Sequence, residues 1–313
     1  MKNTKNCENK KTSIGGQALI EGIMMRGPKT TAMAVRNPAG EIVVEKWDTP
    51  HAKGNVRKIP FVRGIFNFVD SMRFGYKCLM RSAEIAGFEE TPDEKKGGEV
   101  KPWVMNLVMV LSVILGVALA VGLFVVLPSF LYSLLSHVVP FFSEDNRFLK
   151  SVFEGILKVL LLVGYLAAVS LMKDIRRTFM YHGGEHKTIF CYEYGLELNV
   201  ENVRAQRRFH PRCGTSFLIL MILVSIFISM FIPVGIPTYL RVLIKIALIP
   251  VIVGIGYELI KFAGRHDNLF TRIISAPGVW LQHVTVLEPD DSMIECAIAA
   301  MKEVIPDDES DNW

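Results

Sequence analysis

Trp103-Val104-Met105-Asn106-Leu107-Val108-Met109-Val110-Leu111-Ser112-Val113-Ile114-Leu115-Gly116-Val117-Ala118-Leu119-Ala120-Val121-Gly122-Leu123-Phe124-Val125-Val126-Leu127 is a run of 25 residues without one charge. As a helix it is long enough to cross a hydrocarbon core of about 30 Å. Three more runs share this character. Thr215 to Ile232 is uncharged over 18 residues. Phe148 to Met172 carries Glu154 and Lys158 near one end. Tyr239 to Phe262 carries Arg241 and Lys245 near one end and Glu258 near the other, with Pro250 placed to kink it. The pattern predicts four transmembrane helices. The apolar stretch 128–142 is interrupted by Pro128 and Pro140 and reads as interfacial.

Half of the 313 residues are hydrophobic and the net charge is +4, with a mean hydropathy of +0.32. The five cysteines (7, 78, 191, 213, 296) form no C-x-x-C pair and are odd in number. That pattern argues against a disulfide framework and suits a reducing compartment. Basic residues set the orientation. Residues 1–102 hold 18 Lys and Arg, 173–214 hold 8 and the chain from Lys261 onward holds 4, against 5 in the remainder. Both termini and the segment 173–214 are therefore expected on the cytoplasmic side of a multi-pass protein, facing an anionic inner leaflet.

Outside the spans the chain divides into short regions. Residues 1–12 form a polar, lysine-rich tail with no apolar core behind it, so no signal peptide is expected. Residues 13–60 read as a β-rich cap. Thr31–Arg36 and Glu41–Trp47 alternate like two strands joined by Asn37-Pro38-Ala39-Gly40, a β-hairpin signal. Gly22-Ile23-Met24-Met25-Arg26-Gly27 reads either as a tight turn with buried methionines or as a loop presenting Arg26 to an anion. From 61 to 86, apolar residues recur at three- and four-residue spacing among Arg63, Arg73, Lys77 and Arg81. That pattern suits an amphipathic helix on the membrane surface or a helix of the cap. A charged linker follows to 101, and the last region, 263–313, carries a cytosolic helix capped by Asp290-Asp291-Ser292.

The chemistry concentrates between residues 173 and 214. His182-Gly183-Gly184-Glu185-His186 puts two imidazoles at i, i+4, on one face if the segment is helical. Two neutral imidazoles at that spacing can share a divalent metal, zinc first among them. Glu185 one turn away can act as base on a metal-bound water. A third ligand is required. Glu193, His210 and Cys213 are candidates within the segment, and Glu258 is a more distant one. Gly183-Gly184 weakens the helix by roughly 1 kcal/mol per glycine, or lets a substrate or headgroup approach the backbone. The bland alternative is that these His and Glu pair with Arg176, Arg177, Arg204, Arg207, Arg208 and Arg212. Those arginines suit contact with anionic lipid, and Arg212 also suits an anionic substrate held bidentately. No phosphate-binding loop, dinucleotide glycine pattern or nucleic-acid motif is present, so nucleic acid is not an expected partner. A homo-oligomer is left open.

An ordered set of motifs resembles the bacterial YqhQ-like membrane proteins, the family of domain of unknown function 1385. It comprises Gly15-Gly16-Gln17-Ala18-Leu19-Ile20-Glu21-Gly22-Ile23-Met24-Met25-Arg26, Pro60-Phe61-Val62-Arg63-Gly64, His182-Gly183-Gly184-Glu185-His186-Lys187, Phe209-His210-Pro211-Arg212-Cys213-Gly214-Thr215-Ser216-Phe217, Pro277-Gly278-Val279-Trp280-Leu281-Gln282 and Glu288-Pro289-Asp290-Asp291. The resemblance implies a bacterial cytoplasmic-membrane protein and a metal-dependent enzyme.

The expected architecture is mainly α: transmembrane helices over 102–172 and 215–262 under a small cytosolic α+β cap. The expected function is a metal-dependent hydrolase with Glu185 as catalytic base. His182 and His186 are its metal ligands, with Glu193, His210 or Cys213 completing the site and Arg26 and Arg212 as anion contacts. The alternatives are a transporter or channel-like assembly whose His/Glu segment is a regulatory metal site, and a scaffold for a cytosolic partner.

Overall fold

The structure is a computed structural model that describes residues 10–49, 59–88, 102–142, 145–233, 235–266, 268–308 and 310–312. The polar tail to residue 9 and the charged linker over 89–101 lie outside the described residues.

The chain opens with a four-stranded antiparallel meander, β1 (Gly15–Leu19), β2 (Gly22–Arg26), β3 (Thr30–Arg36) and β4 (Ile42–Asp48), in the order β1-β2-β3-β4. The predicted hairpin is its β3–β4 half, with Arg36 opposite Ile42. Asn37 closes the turn by accepting the Glu41 N–H at 2.9 Å, and Gly40 takes φ 87°. The sheet extends the lone hairpin by two strands whose glycines disguise them. A Cβ on Gly22 would lie 2.5 Å from the Ala34 carbonyl, so that position admits only glycine. Met24 and Met25 are buried strand residues, which settles that stretch as strand and not turn.

Eleven α-helices follow among the described residues: α1 (Val62–Ile85), α2 (Pro102–Val121), α3 (Leu127–Val138), α4 (Arg147–Val169), α5 (Lys173–Glu193), α6 (Val200–Arg204), α7 (Gly214–Ser229), α8 (Thr238–Ala247), α9 (Ile249–Arg265), α10 (Leu269–Thr285) and α11 (Asp291–Lys302). The chain is mainly helical. One face of the sheet is covered by α5 and α11. Ile23, Met25, Ala32 and Ala34 pack there with Tyr181, Ile189, Met293, Ala297 and Met301. Burying such side chains is worth about 1.5–3 kcal/mol each for the larger ones, and this core fixes α5. The Asp290 side chain caps α11 by accepting the Met293 N–H at 3.0 Å, as its sequence predicts.

On the other face, Cys78 of α1 packs among Leu19, Met24, Met33 and Val35. The opposite side of α1 exposes Phe68, Val69, Met72, Tyr76 and Met80. The helix is thus both a cap helix and the bearer of an open apolar stripe. It is pinned to α9: Glu258 accepts the Arg63 Nε–H at 2.7 Å and the Phe61 N–H at 3.2 Å. This pairing removes Glu258 from the metal-ligand candidates.

The count of long apolar helices differs from the four expected spans. Among the described residues two are long and apolar enough to cross a membrane, Val110–Val138 and Arg147–Val169, and a third exists if the pair α8–α9, bent by 42°, is one span. The bend falls at Leu248 because Pro250 sits in the first turn of α9. α7 has 16 residues, which at 1.5 Å per residue falls short of a full crossing. The stretch from 128, expected to lie at an interface, instead continues the preceding helix. A π-turn at Gly122–Val126 shifts the ladder so that the Leu127 N–H bonds the Gly122 carbonyl, and Pro128 then opens α3 where its missing N–H is not needed.

Candidate functional site

α5 takes up the first half of the segment 173–214 as one helix, the condition for His182 and His186 to share a face. Its two central glycines are packing residues, not openings for a ligand. A Cβ on Gly183 would sit 1.9 Å from the Leu287 carbonyl oxygen, and Gly184 faces Ile23 and Met293. The chain's own backbone takes the space that the sequence left to a substrate or headgroup. Helical geometry then places His182 and His186 on one face, with ring centroids 4.5 Å apart.

The segment before α7 brings the third group. Cys213 is the N-cap of α7, and its sulfur accepts the Thr215 N–H at 3.4 Å. The His182 Nε2 lies 3.2 Å from Cys213 Sγ. One ligand atom each from His182, His186 and Cys213 all fall within 4.8 Å of one another. Both imidazoles are oriented from behind. His182 Nδ1 is 3.0 Å from the Thr285 carbonyl and His186 Nδ1 is 2.6 Å from the Arg208 carbonyl. A carbonyl can only accept, so each Nδ1 carries the proton and each Nε2 turns its lone pair toward Cys213. Backbone carbonyls of this kind are the usual outer partners of metal-binding histidines.

Two buried atoms have no hydrogen-bond partner among the described residues, His186 Nε2 in the cluster and Oε2 of its chain neighbour Glu185, whose carboxyl lies against Gly16. Burial pushes the Glu185 carboxyl up to about 7, with His182 opposing that rise. Burial also lowers His186 below its ordinary range. The Cys213 thiol is raised by burial, but His186 and the Thr215 hydroxyl and N–H outweigh this and hold it below its ordinary value. A soft thiolate with two neutral imidazoles suits zinc and leaves a fourth tetrahedral position open.

The other candidates are engaged elsewhere. Glu193 forms an ion pair with Arg212, accepts the Thr12 N–H at 2.9 Å and stands 3.6 Å from His210 Nε2. Burial raises the Glu193 carboxyl, but His210 and Arg212 overcome this and hold it below the ordinary range. His210 is lowered by burial, and Gln282 clamps its backbone with two hydrogen bonds of 2.8 Å. Its ring is 5.6 Å from that of His186, beside the cluster and not in it. Arg212 lines a cavity of ≈ 330 Å³ with Lys10, Lys11, Arg207 and His210. Arg26 lines a different one, of ≈ 320 Å³, with Gly16 and Gln17. Three further arginines of the segment 173–214 pair within the cap: Arg177 with Glu21, Arg204 with Asp291 and Arg208 with Glu288. The carbonyls of Thr285 and Arg208 and the clamp by Gln282 were not found in the sequence, and backbone acceptors leave no residue-type signal. Thr215 could have been found, since it follows a cysteine at a helix start.

Comparison with known proteins agrees with the motifs. Residues 59–307 match the family described as a protein of unknown function, DUF1385. The chain is 37% identical over 299 residues to the Bacillus subtilis (strain 168) protein named Uncharacterized protein YqhQ, covering 94% of this chain and 92% of that one. No solved structure shows a significant match. With 37% identity along nearly its whole length and a family match spanning most of it, the chain belongs to the DUF1385 family of YqhQ-like proteins.

Proposed function

We propose that this protein is a multi-pass membrane protein of the bacterial cytoplasmic membrane and a metal-dependent hydrolase working at the cytoplasmic face. His182, His186 and Cys213 would hold a divalent ion, zinc by the chemistry of the set. The ion would lower the pKa of a bound water. Glu185, buried beside the ligands, would take or return a proton. The observation that carries the reading is the pair of imidazoles whose Nδ1 atoms are tied to the Thr285 and Arg208 carbonyls while their Nε2 atoms converge on Cys213. The membrane reading rests on the long apolar helices, the exposed stripe on α1 and the basic bias of the predicted cytoplasmic segments. The cavity lined by Lys10, Arg207 and Arg212, one side chain away through His210, favours a substrate with anionic groups.

Elemental analysis of the detergent-purified full chain should give about one zinc or other divalent ion. Glu185→Gln should keep the ion yet lose turnover of chromogenic ester, phosphate-ester and peptide probes. Metal-free protein after supplementation with zinc, manganese and iron would end this reading. A second reading, transport, is favoured by one observation, the buried Lys245–Glu154 ion pair among the apolar helices. It predicts that function in reconstituted vesicles fails on changing that pair and survives Glu185→Gln.

A further inference from the structure

The helices away from the cap carry a second concentration of charge. Glu154 of α4 and Lys245 of α8 pair in full burial, each within 2.9 Å of the Ser129 hydroxyl of α3. Two more cations act on this pair. Lys158, one turn along α4, and Arg241, one turn before Lys245 on α8, both interact electrostatically with Lys245. Glu154 is the carboxylate that acts on both Lys158 and Lys245. Lys158 and Lys245 therefore share one anion, with Arg241 as a further cation beside them.

Two of the cations are under-partnered. Lys158 has no hydrogen-bond or ion-pair partner among the described residues. Arg241 is only 3% exposed and gives one hydrogen bond, from Nη1 to the Pro233 carbonyl at 3.3 Å. Its Nε and Nη2 are buried without a partner. Those two N–H groups form the side-on fork of the guanidinium, the edge that holds two oxygens of a carboxylate or phosphate. Among the described residues no anion matches that edge of the buried cation.

Lys158 and Lys245 also line a cavity of ≈ 340 Å³ whose other walls are apolar apart from Ser225 and Ser229, among them Phe124, Leu218, Ile222 and Ile252. A small hydrophilic anion would leave those walls uncovered, and a neutral hydrocarbon would leave the cations unmatched. We propose that this cavity is a binding site for an anionic lipid. The phosphate-type head would lie against Lys158 and Lys245, with Arg241 behind Lys245 adding to the positive field, and the hydrocarbon chain against Leu218, Ile222 and Ile252. The site is separate from the metal cluster and stands without it. It draws on the membrane reading only for the source of the lipid.

The test uses the full chain in a neutral maltoside detergent and reads the thermal midpoint during titration with dodecyl phosphate. Dodecanol and inorganic phosphate serve as matched probes for the chain and the head alone. Dodecyl phosphate should raise the midpoint saturably while neither half-probe does. Lys158→Gln should weaken the apparent affinity about tenfold, the effect of one charge-assisted hydrogen bond, and Lys158→Arg should retain it. Because Lys158 makes no hydrogen bond or ion pair among the described residues, neither change should unfold the protein. Equal response to dodecanol, or undiminished affinity in Lys158→Gln, would overturn the proposal. Metal content is unaffected by these variants, so failure here leaves the hydrolase reading standing, and the reverse holds too.

Discussion

Two adjacent glycines of α5 should respond to alanine with opposite sign. At Gly183 the added Cβ would sit 1.9 Å from the Leu287 carbonyl oxygen. A carbon and an oxygen in ordinary contact stand about 3.4 Å apart, so α5 and the segment after α10 must part by about 1.5 Å. The clash is with backbone, which cannot rotate away. Separation also strains the Leu287 N–H bond to the Phe179 carbonyl, 2.9 Å at present, and moves Thr285, whose carbonyl orients His182. Overpacking of this kind costs about 1–3 kcal/mol, partly offset by about 1 kcal/mol from the better helix propensity of alanine. At Gly184 the nearest atoms to a Cβ are 3.6 Å away, an ordinary contact. There the propensity gain of about 1 kcal/mol stands nearly alone. Thermal melts of the detergent-solubilised protein, followed by near-ultraviolet circular dichroism, should place Gly183→Ala below wild type and Gly184→Ala at or above it. Gly183→Ala should also bind metal more weakly. If Gly183→Ala is as stable as Gly184→Ala, the packing argument for α5 is wrong.

Two further outcomes follow from buried charge. In chelator-stripped protein, Glu185 titrates at about 7 when folded, against an ordinary 4.5. Between those values the folded state keeps a proton the unfolded chain has lost, so stability falls as pH rises through that window, by about 3 kcal/mol in all. Glu185→Gln should lack the fall and exceed wild type at pH 8 while matching it near pH 4, and parallel pH curves would contradict this. Lys245→Ala strands Glu154 in burial and should cost about 3–5 kcal/mol. Adding Glu154→Ala should restore much of that loss, whereas a double variant as unstable as the summed singles would deny the pairing.

The sequence made the helical chemistry legible and the long-range placement illegible. The spacing of His182 and His186 announces one face of a helix, but nothing local shows that a buried carbonyl stands behind each ring. Glu193 sits one heptad past His186 and reads as an equal candidate for the third ligand. Only the fold reveals that Arg212, 19 residues on, claims it and that Cys213 turns inward as a helix cap. The strands β1 and β2 were hidden because their glycines answer to neighbours across the sheet and, for Gly16, to Glu185 2.9 Å from its would-be Cβ. Apolar length overstated the spans. Hydropathy registers Thr215–Ile232 as one run, while α7 stops at Ser229 short of Pro233, and Pro250 turns what reads as one helix into a bent pair.

The central claim is that His182, His186 and Cys213 hold one metal ion, and cobalt(II) reports it directly. Titrated into the metal-stripped full chain, cobalt should saturate at one ion per chain. It should show a near-ultraviolet thiolate-to-cobalt charge-transfer band and the intense visible bands of a tetrahedral site. Cys213→Ser should abolish the charge-transfer band, and His186→Ala should abolish tight binding, while Glu193→Gln leaves the spectrum unchanged. A cobalt spectrum identical in wild type and Cys213→Ser, or lost only with Glu193→Gln, would contradict the site assigned here.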